Sequence, residues 1–325
     1  MQKVKWGVIG TAKIARNSTI PGLKLSESSE LYAIAGRSLE KAKAFQDEFG
    51  FEKAYGSYDE ILEDPEVQAV YIPLPNDLHY KYTIAALKKG KHVLCEKPLG
   101  LNAGEVREMY KTAEEEGVCL MEAFAFVHTP YMASLKKDLE DKVIGEVDYM
   151  DSAFLISGFS ENIRLYKEQG GGAMYDLGCY PTSMFLSLID SEPDFVTACA
   201  EYSDKGIDLL TSGSIRFKNG IRASFNVGMI LGTDLDHRFD RLYIHGTKGS
   251  IWSEIPYNSH GEWSYRISTP EGITERKVSI PQPYSLEAEQ LCRRILYGEN
   301  LVVTPEFSIK NAVLMERILT EMGYY

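Results

Sequence analysis

Three stretches of the chain hold residue types that do chemistry at these spacings. The first is Gly10-Thr11-Ala12-Lys13-Ile14-Ala15, a small-residue turn that follows an apolar run. A G-x-G-x-x-G turn between strand and helix lets backbone amides approach a pyrophosphate, and alanine at its second and third places still permits this. Gly10 would make the tight turn and Ala12 the close approach, with Thr11 and Ile14 between them and Ala15 at the helix–sheet contact. The plain alternative is a turn that binds nothing. The next strand ends Ala35-Gly36-Arg37-Ser38, with Lys41 one turn further. An NAD site usually carries an acid there, whereas Arg and Ser suit a 2′-phosphate. This points to NADP, with NAD as the alternative, unless Arg37 is simply a solvated loop residue.

The second stretch, His92-Val93-Leu94-Cys95-Glu96-Lys97-Pro98, puts a Glu-Lys-Pro at the end of an apolar strand. Strand ends of this kind face the ligand crevice of a doubly wound sheet, so Lys97 would present an ammonium to a cofactor. The alternative is a surface lysine paired with Glu96. The third is Gly170-Gly171-Gly172-Ala173-Met174-Tyr175-Asp176-Leu177-Gly178-Cys179-Tyr180-Pro181. Its glycines allow a sharp turn and close approach to a ligand. Asp176 and Tyr180, four residues apart, share a face if the segment is helical. A tyrosine near an ammonium ionises more readily and can serve as acid/base for an alcohol. Otherwise Asp176 is a charge favoured by a helix N-terminus and Tyr180 a packing residue.

The elements that must position these residues change character along the chain. Up to about residue 123, short apolar runs alternate with amphipathic stretches. Strands are expected at Val4–Ile9, Glu30–Ala35, Ala69–Ile72, His92–Cys95 and Val118–Glu122. Helices are expected at Ile14–Leu25 (interrupted near Pro21), Leu39–Phe49, Tyr58–Leu62, Lys81–Lys89 and Ala103–Glu116. Such alternation implies a doubly wound parallel sheet, an α/β Rossmann domain over residues 1–123. Residues 124–325 have another texture: a helix at Met132–Leu139, a strand at Val147–Leu155, a helix at Asp176–Ile189, then mostly strands joined by tight turns. That reads as an α+β domain with an open, mostly antiparallel sheet, closed by helices at Ser285–Leu296 and Ser308–Glu321.

Composition narrows the function class. With 35 basic against 47 acidic residues the net charge is −12, which repels nucleic acid and anionic membrane. The five cysteines are scattered, with no metal-ligand or disulfide pattern. No apolar run approaches the ~20 residues of a membrane helix, and no secretory leader is evident. A soluble, cytoplasmic protein is expected, without a metal and with a small molecule as partner.

Together these residues resemble the glucose–fructose oxidoreductase / inositol dehydrogenase / MocA family. The likeness runs through Gly10–Ala15, Pro73-Leu74-Pro75-Asn76 with His79, Glu96-Lys97-Pro98, Gly170–Pro181 and His245-Gly246-Thr247-Lys248-Gly249. The third stretch is similar to the branch that carries Tyr where the inositol-dehydrogenase type has His. That branch holds glucose–fructose oxidoreductase, NADP-dependent xylose dehydrogenase and dimeric dihydrodiol dehydrogenase. The resemblance implies hydride transfer between NAD(P) and a carbinol or carbonyl carbon of a sugar, polyol or cyclic diol. It implies Lys97 as catalytic lysine, Tyr180 as acid/base and Asp176 as a substrate-orienting group. It places Pro73, Leu74, Asn76, His79 and Glu96 on the cofactor side, Arg164 at cofactor or substrate, and a homodimer through the second-domain sheet.

One row departs from the family. Glu122-Ala123-Phe124-Ala125-Phe126-Val127-His128-Thr129-Pro130 has Val127 and Thr129 where relatives carry Arg and His, and a histidine one residue early. In an extended segment such a shift sends the side chain to the other face. The change leaves a second class open, a non-catalytic NADP(H)-binding sensor on the same fold.

Overall fold

The computed structural model describes residues 2–232, 237–255 and 257–325. The chain packs as two compact units, Met1–His128 with Pro281–Ile309, and Thr129–Ile280 with Lys310–Tyr325. The second unit thus begins at Thr129 rather than Phe124, and residues 281–309 return to the first. A linear division at 123/124 does not describe that return.

In the first unit, strands and helices alternate as β1 (Val4–Ile9), α1 (Ile20–Leu25), β2 (Ser29–Ala35), α2 (Leu39–Phe49), β3 (Lys53–Tyr55) and α3 (Tyr58–Glu63). They continue as β4 (Ala69–Ile72), α4 (Asn76–Lys88), β5 (His92–Glu96), α5 (Ala103–Glu115) and β6 (Leu120–Ala123). The six strands pair in parallel in the order β3-β2-β1-β4-β5-β6, so the order reverses between β1 and β4. Strands covered on both faces read as continuous apolar runs, and β4 is buried at every residue. Helix starts follow local chemistry: Ser38, Ser57 and Asn102 each accept a backbone N–H at the cap of α2, α3 and α5.

Two expectations need correction here. The first helix is broken by a π turn at Ala15–Thr19 rather than at Pro21, which sits in the opening turn of α1. And α4 begins at Asn76, not Lys81, because polar residues lie on its inner face: His79 and Thr83 are buried with Ala86 and Leu87. A hydrophobic period could not show that turn.

The second unit contains α6 (Pro130–Glu140), β7 (Val147–Ile156), α7 (Cys179–Leu188), β8 (Pro193–Tyr202), β9 (Asp208–Phe217), β10 (Arg222–Met229) and β11 (Arg238–Gly246). It goes on through β12 (Gly249–Ser253), β13 (Gly261–Thr269) and β14 (Gly272–Ile280). Its eight strands run β14-β13-β12-β11-β7-β10-β9-β8, antiparallel except for the β7/β10 pair. Tight turns do the joining, as at Thr247-Lys248 between the paired Gly246 and Gly249.

The last helices are α8 (Pro283–Tyr297) and α9 (Pro305–Glu321). Helix α8 lies against the first unit's strands. Buried Trp6 of β1 donates its Nε1–H to Cys292 Sγ at 3.3 Å, and Glu289 accepts from Ser26 and Ser28. Gly22 makes the approach of α1 to α8 possible, since a Cβ there would stand 2.7 Å from the Tyr284 carbonyl carbon.

Candidate active site

The sequence-expected cofactor residues of the first unit gather at the carboxyl edge of its sheet. Gly10 follows β1 with φ +118°, and a Cβ on it would meet Leu74 Cδ2 at 3.0 Å, so only glycine leaves this space open. Thr11, Ala12 and Ile14 follow at the mouth of the helix, Arg16 N–H is the first to bond back, to Ala12, and Ala15 is fully buried. The amides ahead of that bond belong to the first turn, where a helix leaves N–H groups available to an anion, here at the β1/β4 switch point. Arg37 is exposed just past β2. Ser38 is spent partly on structure, since its Oγ accepts from Lys41 N–H at 3.4 Å to cap α2.

After β4, Pro73 and Leu74 are buried and Asn76 starts α4. His79 is held by backbone rather than exposed to solvent. It is fully buried, with Nδ1 2.8 Å from the Pro98 carbonyl oxygen and Nε2 2.8 Å from that of Leu74. It ties the loop after β4 to the loop after β5. Burial pushes its pKa down and the Lys97 charge adds to this, while the two carbonyls oppose them. Glu96 closes β5 and accepts from Tyr71 Oη at 2.6 Å, and Tyr71 in turn accepts from Thr19 in the π turn. Lys97 follows, half-buried, joined to Pro98 by a cis peptide.

In the second unit the glycine run makes the sharp turn expected of it, packed against the chain itself. A Cβ on Gly171 would stand 2.4 Å from the Arg164 carbonyl oxygen, and one on Gly172 (φ +107°) 2.1 Å from Asp208 Oδ1. The glycines therefore let the chain fold on itself. Asp208 Oδ2 accepts from Met174 N–H and Thr211 Oγ1, both at 2.7 Å, fixing the start of the π turn Met174–Gly178 that leads into α7. On this turn Asp176 accepts from Arg164 Nε at 2.6 Å, and the Arg164 guanidinium lies 5.3 Å from the Phe159 ring. Arg164 is thus the partner of Asp176. Tyr180, buried in the first turn of α7, packs edge-on to Phe154 at 5.2 Å and against Tyr257 at 4.8 Å. Its hydroxyl reaches Asn258 Oδ1 at 3.4 Å.

The departing row is not extended as expected. Ala125–His128 is a 3-10 turn, and Thr129 caps α6 by accepting from Met132 N–H. A one-residue shift there rotates a side chain by about a third of a turn rather than flipping it.

Comparison with known proteins decides the family. The oxidoreductase family with an NAD-binding Rossmann fold, GFO/IDH/MocA, matches residues 4–124, and that family's C-terminal domain matches 132–252. Trans-1,2-dihydrobenzene-1,2-diol dehydrogenase of Xenopus tropicalis is 32% identical over 98% of both chains. The chain belongs to the GFO/IDH/MocA oxidoreductase family. A D-xylose 1-dehydrogenase (NADP⁺) of Haloferax volcanii is 36% identical over 94% of this chain and 93% of its own. Among solved structures, a 3-ketoreductase from Actinomadura kijaniata in complex with NADP and TDP-benzene superposes with a TM-score of 0.92. It is 28% identical over 99% of this chain and 98% of its own. This GFO/IDH/MocA member also has groups near its candidate residues that spacing did not reveal. Glu122, Asp208, Arg238 and Asp240 reach the two sites by strand register, and only Glu122 lay within a stretch already singled out.

Proposed function

We propose that the chain is an NADP-dependent dehydrogenase that moves a hydride between the nicotinamide and a carbinol or carbonyl carbon of a sugar, polyol or cyclic diol, with Lys97 and Tyr180 as the acid/base pair. The observation that carries this reading is the convergence of the Gly10 turn, the Leu74–Asn76 segment and Lys97 on one edge of the sheet, where its strand order reverses. The Gly10 cradle, which a Cβ would fill, and the helix mouth beside it fit a dinucleotide pyrophosphate. Arg37, exposed past β2, supports a 2′-phosphate and so NADP. NADP is also named for the xylose dehydrogenase and bound in the ketoreductase structure.

When bound, the dinucleotide supplies the hydride acceptor or donor. Tyr180 Oη takes the hydroxyl proton during oxidation and returns it during reduction. The Lys97 ammonium favours the tyrosinate or polarises the substrate oxygen. Asp176, held by Arg164, orients the substrate. We further assign the protein to the cytoplasm as a homodimer. All five cysteines are free, and the β11–β12 part of the sheet presents exposed Phe239 and Trp252. Among the described residues no helix is long and apolar enough to cross a membrane.

The test is NADP⁺ reduction against a panel of aldoses, polyols and trans-cyclic diols, with Lys97→Met in parallel. Activity with one class, lost by at least ~10² in kcat in the variant while NADPH still binds, is the expected result. Near-normal turnover in the variant removes Lys97 from the chemistry. Tight NADPH binding by a wild type silent on every substrate favours the sensor.

A further inference from the structure

Asp240 is a carboxylate with an unused oxygen beside Tyr180's aromatic cluster. It lies on β11, directly opposite Phe154 of β7, so both project from the same face of the sheet. Its side chain is only 9% exposed. Oδ2 accepts from Arg238 Nε, whereas Oδ1 is buried with no hydrogen-bond partner among the described residues. The Arg238 guanidinium sits 4.7 Å from the Phe154 ring centre. The Phe154 ring stacks on Tyr257 at 5.1 Å, and both touch Tyr180. A carboxylate, a guanidinium and three aromatic rings thus share one corner of the second unit.

We propose that Asp240, braced by Arg238, is a specificity-determining residue that accepts a hydrogen bond from a substrate hydroxyl and selects neutral substrates bearing two neighbouring hydroxyls. This rests on the reading of Tyr180 as the group that meets the substrate carbinol. A buried acceptor without a donor is costly, so a site that contains one discriminates strongly for ligands that supply the missing O–H. Arginine carries five N–H donors and the Asp240 contact uses one, which leaves donors for the oxygen of an adjacent hydroxyl. Aromatic faces suit the C–H surfaces of a sugar or cyclohexane ring. A phosphorylated or carboxylated ligand would meet the Asp240 charge head-on.

Electrostatics agree with an acceptor kept short of full solvation. Burial pushes the Asp240 carboxyl up to about 6 and nearby Glu254 adds to this, while Arg238 opposes both. The Tyr257 hydroxyl is pushed up chiefly by its own burial, and the Asp240 charge adds to this.

The experiment titrates the NADPH-loaded protein at pH 8 with trans-1,2-cyclohexanediol and with cyclohexanol, the same ring lacking one hydroxyl. Wild type, Asp240→Leu and Asp240→Asn are compared by calorimetry. Expected is a wild-type preference for the diol of about 10-fold or more. Asp240→Leu should abolish it, with cyclohexanol and NADPH affinities within about 2-fold of wild type. Equal binding of the two alcohols by the wild type, or equal loss of both in Asp240→Leu, overturns the proposal. Should Asp240→Leu fail to fold, the pH dependence decides. The wild-type preference must fall between pH 8 and pH 5 as the carboxylate protonates, and stay flat in Asp240→Asn; a flat wild-type profile overturns the idea. NADP⁺ reduction by the wild type is measured alongside. Diol-selective binding without turnover defeats the dehydrogenase reading alone, and turnover without selectivity defeats this one alone.

Discussion

Replacing Glu122 by glutamine tests the electrostatics around Lys97 without touching the lysine. Glu122 is 2% exposed at the end of β6, and its Oε1 accepts from Leu99 N–H at 2.9 Å, two residues past Lys97. Oε2 makes no hydrogen bond of normal geometry among the described residues, though the Ser308 hydroxyl lies near the carboxyl and favours its charge. Burial pushes the carboxyl from its ordinary 4.5 up to about 7, against the Ser308 hydroxyl, the Leu99 amide and the Lys97 charge. A group whose folded pKa is raised contributes stability that is complete below its unfolded value and is lost as pH rises through the folded one. Between pH 5 and pH 8 those two values correspond to a loss of about 2.5 kcal/mol. Glutamine keeps the oxygen that Leu99 uses and has nothing to titrate. Its new N–H₂ lacks an acceptor, a cost of about 1 kcal/mol that does not vary with pH. The variant should therefore be the less stable protein at pH 5 and the more stable one at pH 8. Guanidinium unfolding, followed through buried Trp6 in a Trp252→Phe, Trp263→Phe background, reads this in the first unit. Parallel pH curves for the parent protein and Glu122→Gln would show that the carboxyl ionises normally and that the environment assigned to it is wrong.

Other outcomes follow from single contacts. Arg37→Ala should raise KM for NADP⁺ by about 10- to 100-fold, the worth of a charge-assisted bond, and leave KM for NAD⁺ nearly unchanged; equal effects on both cofactors would remove Arg37 from the 2′-phosphate. Gly172→Ala forces a Cβ to 2.1 Å from Asp208 Oδ1 at φ +107° and should cost about 2–4 kcal/mol, seen as a lower thermal midpoint. An unchanged midpoint would mean that the Asp208 contact is not rigid.

Much of the first unit was legible because its strands are covered on both faces and separated by capped amphipathic helices. Leu39–Phe49 could be read to the residue: Ser38 caps it, Ala42 and Phe45 are buried, and Gly50 ends it in the left-handed conformation. Where the core is built from polar groups the same reasoning stopped short, as at the first turn of α4 around His79. The three half-buried residues of β3 carry no pattern at all. Both π turns were invisible for a related reason. A π turn is one residue of excess in an otherwise helical run, and the hydrophobic period averages over it.

The candidate site divides along the same line. Turn chemistry is local, so Gly10, the Glu96-Lys97-Pro98 exit and the Asp176/Tyr180 pair can be nominated within a few residues. What holds and surrounds them is set by pairing between distant segments. Asp240 faces Phe154 only because β11 pairs with β7 in one register, and a slip of a single residue would turn it to the opposite face of the sheet. His79 has its two ring nitrogens on the carbonyls of Leu74 and Pro98, a tie between two loops that no spacing shows. Its position four residues inside a helix says nothing about which loop it will meet. Groups that do chemistry can be nominated from spacing, then, while groups that position them or choose among substrates are a property of register. For that reason the pH behaviour of Glu122 and the diol selectivity of Asp240 probe the fold more sharply than loss of activity at Lys97 does.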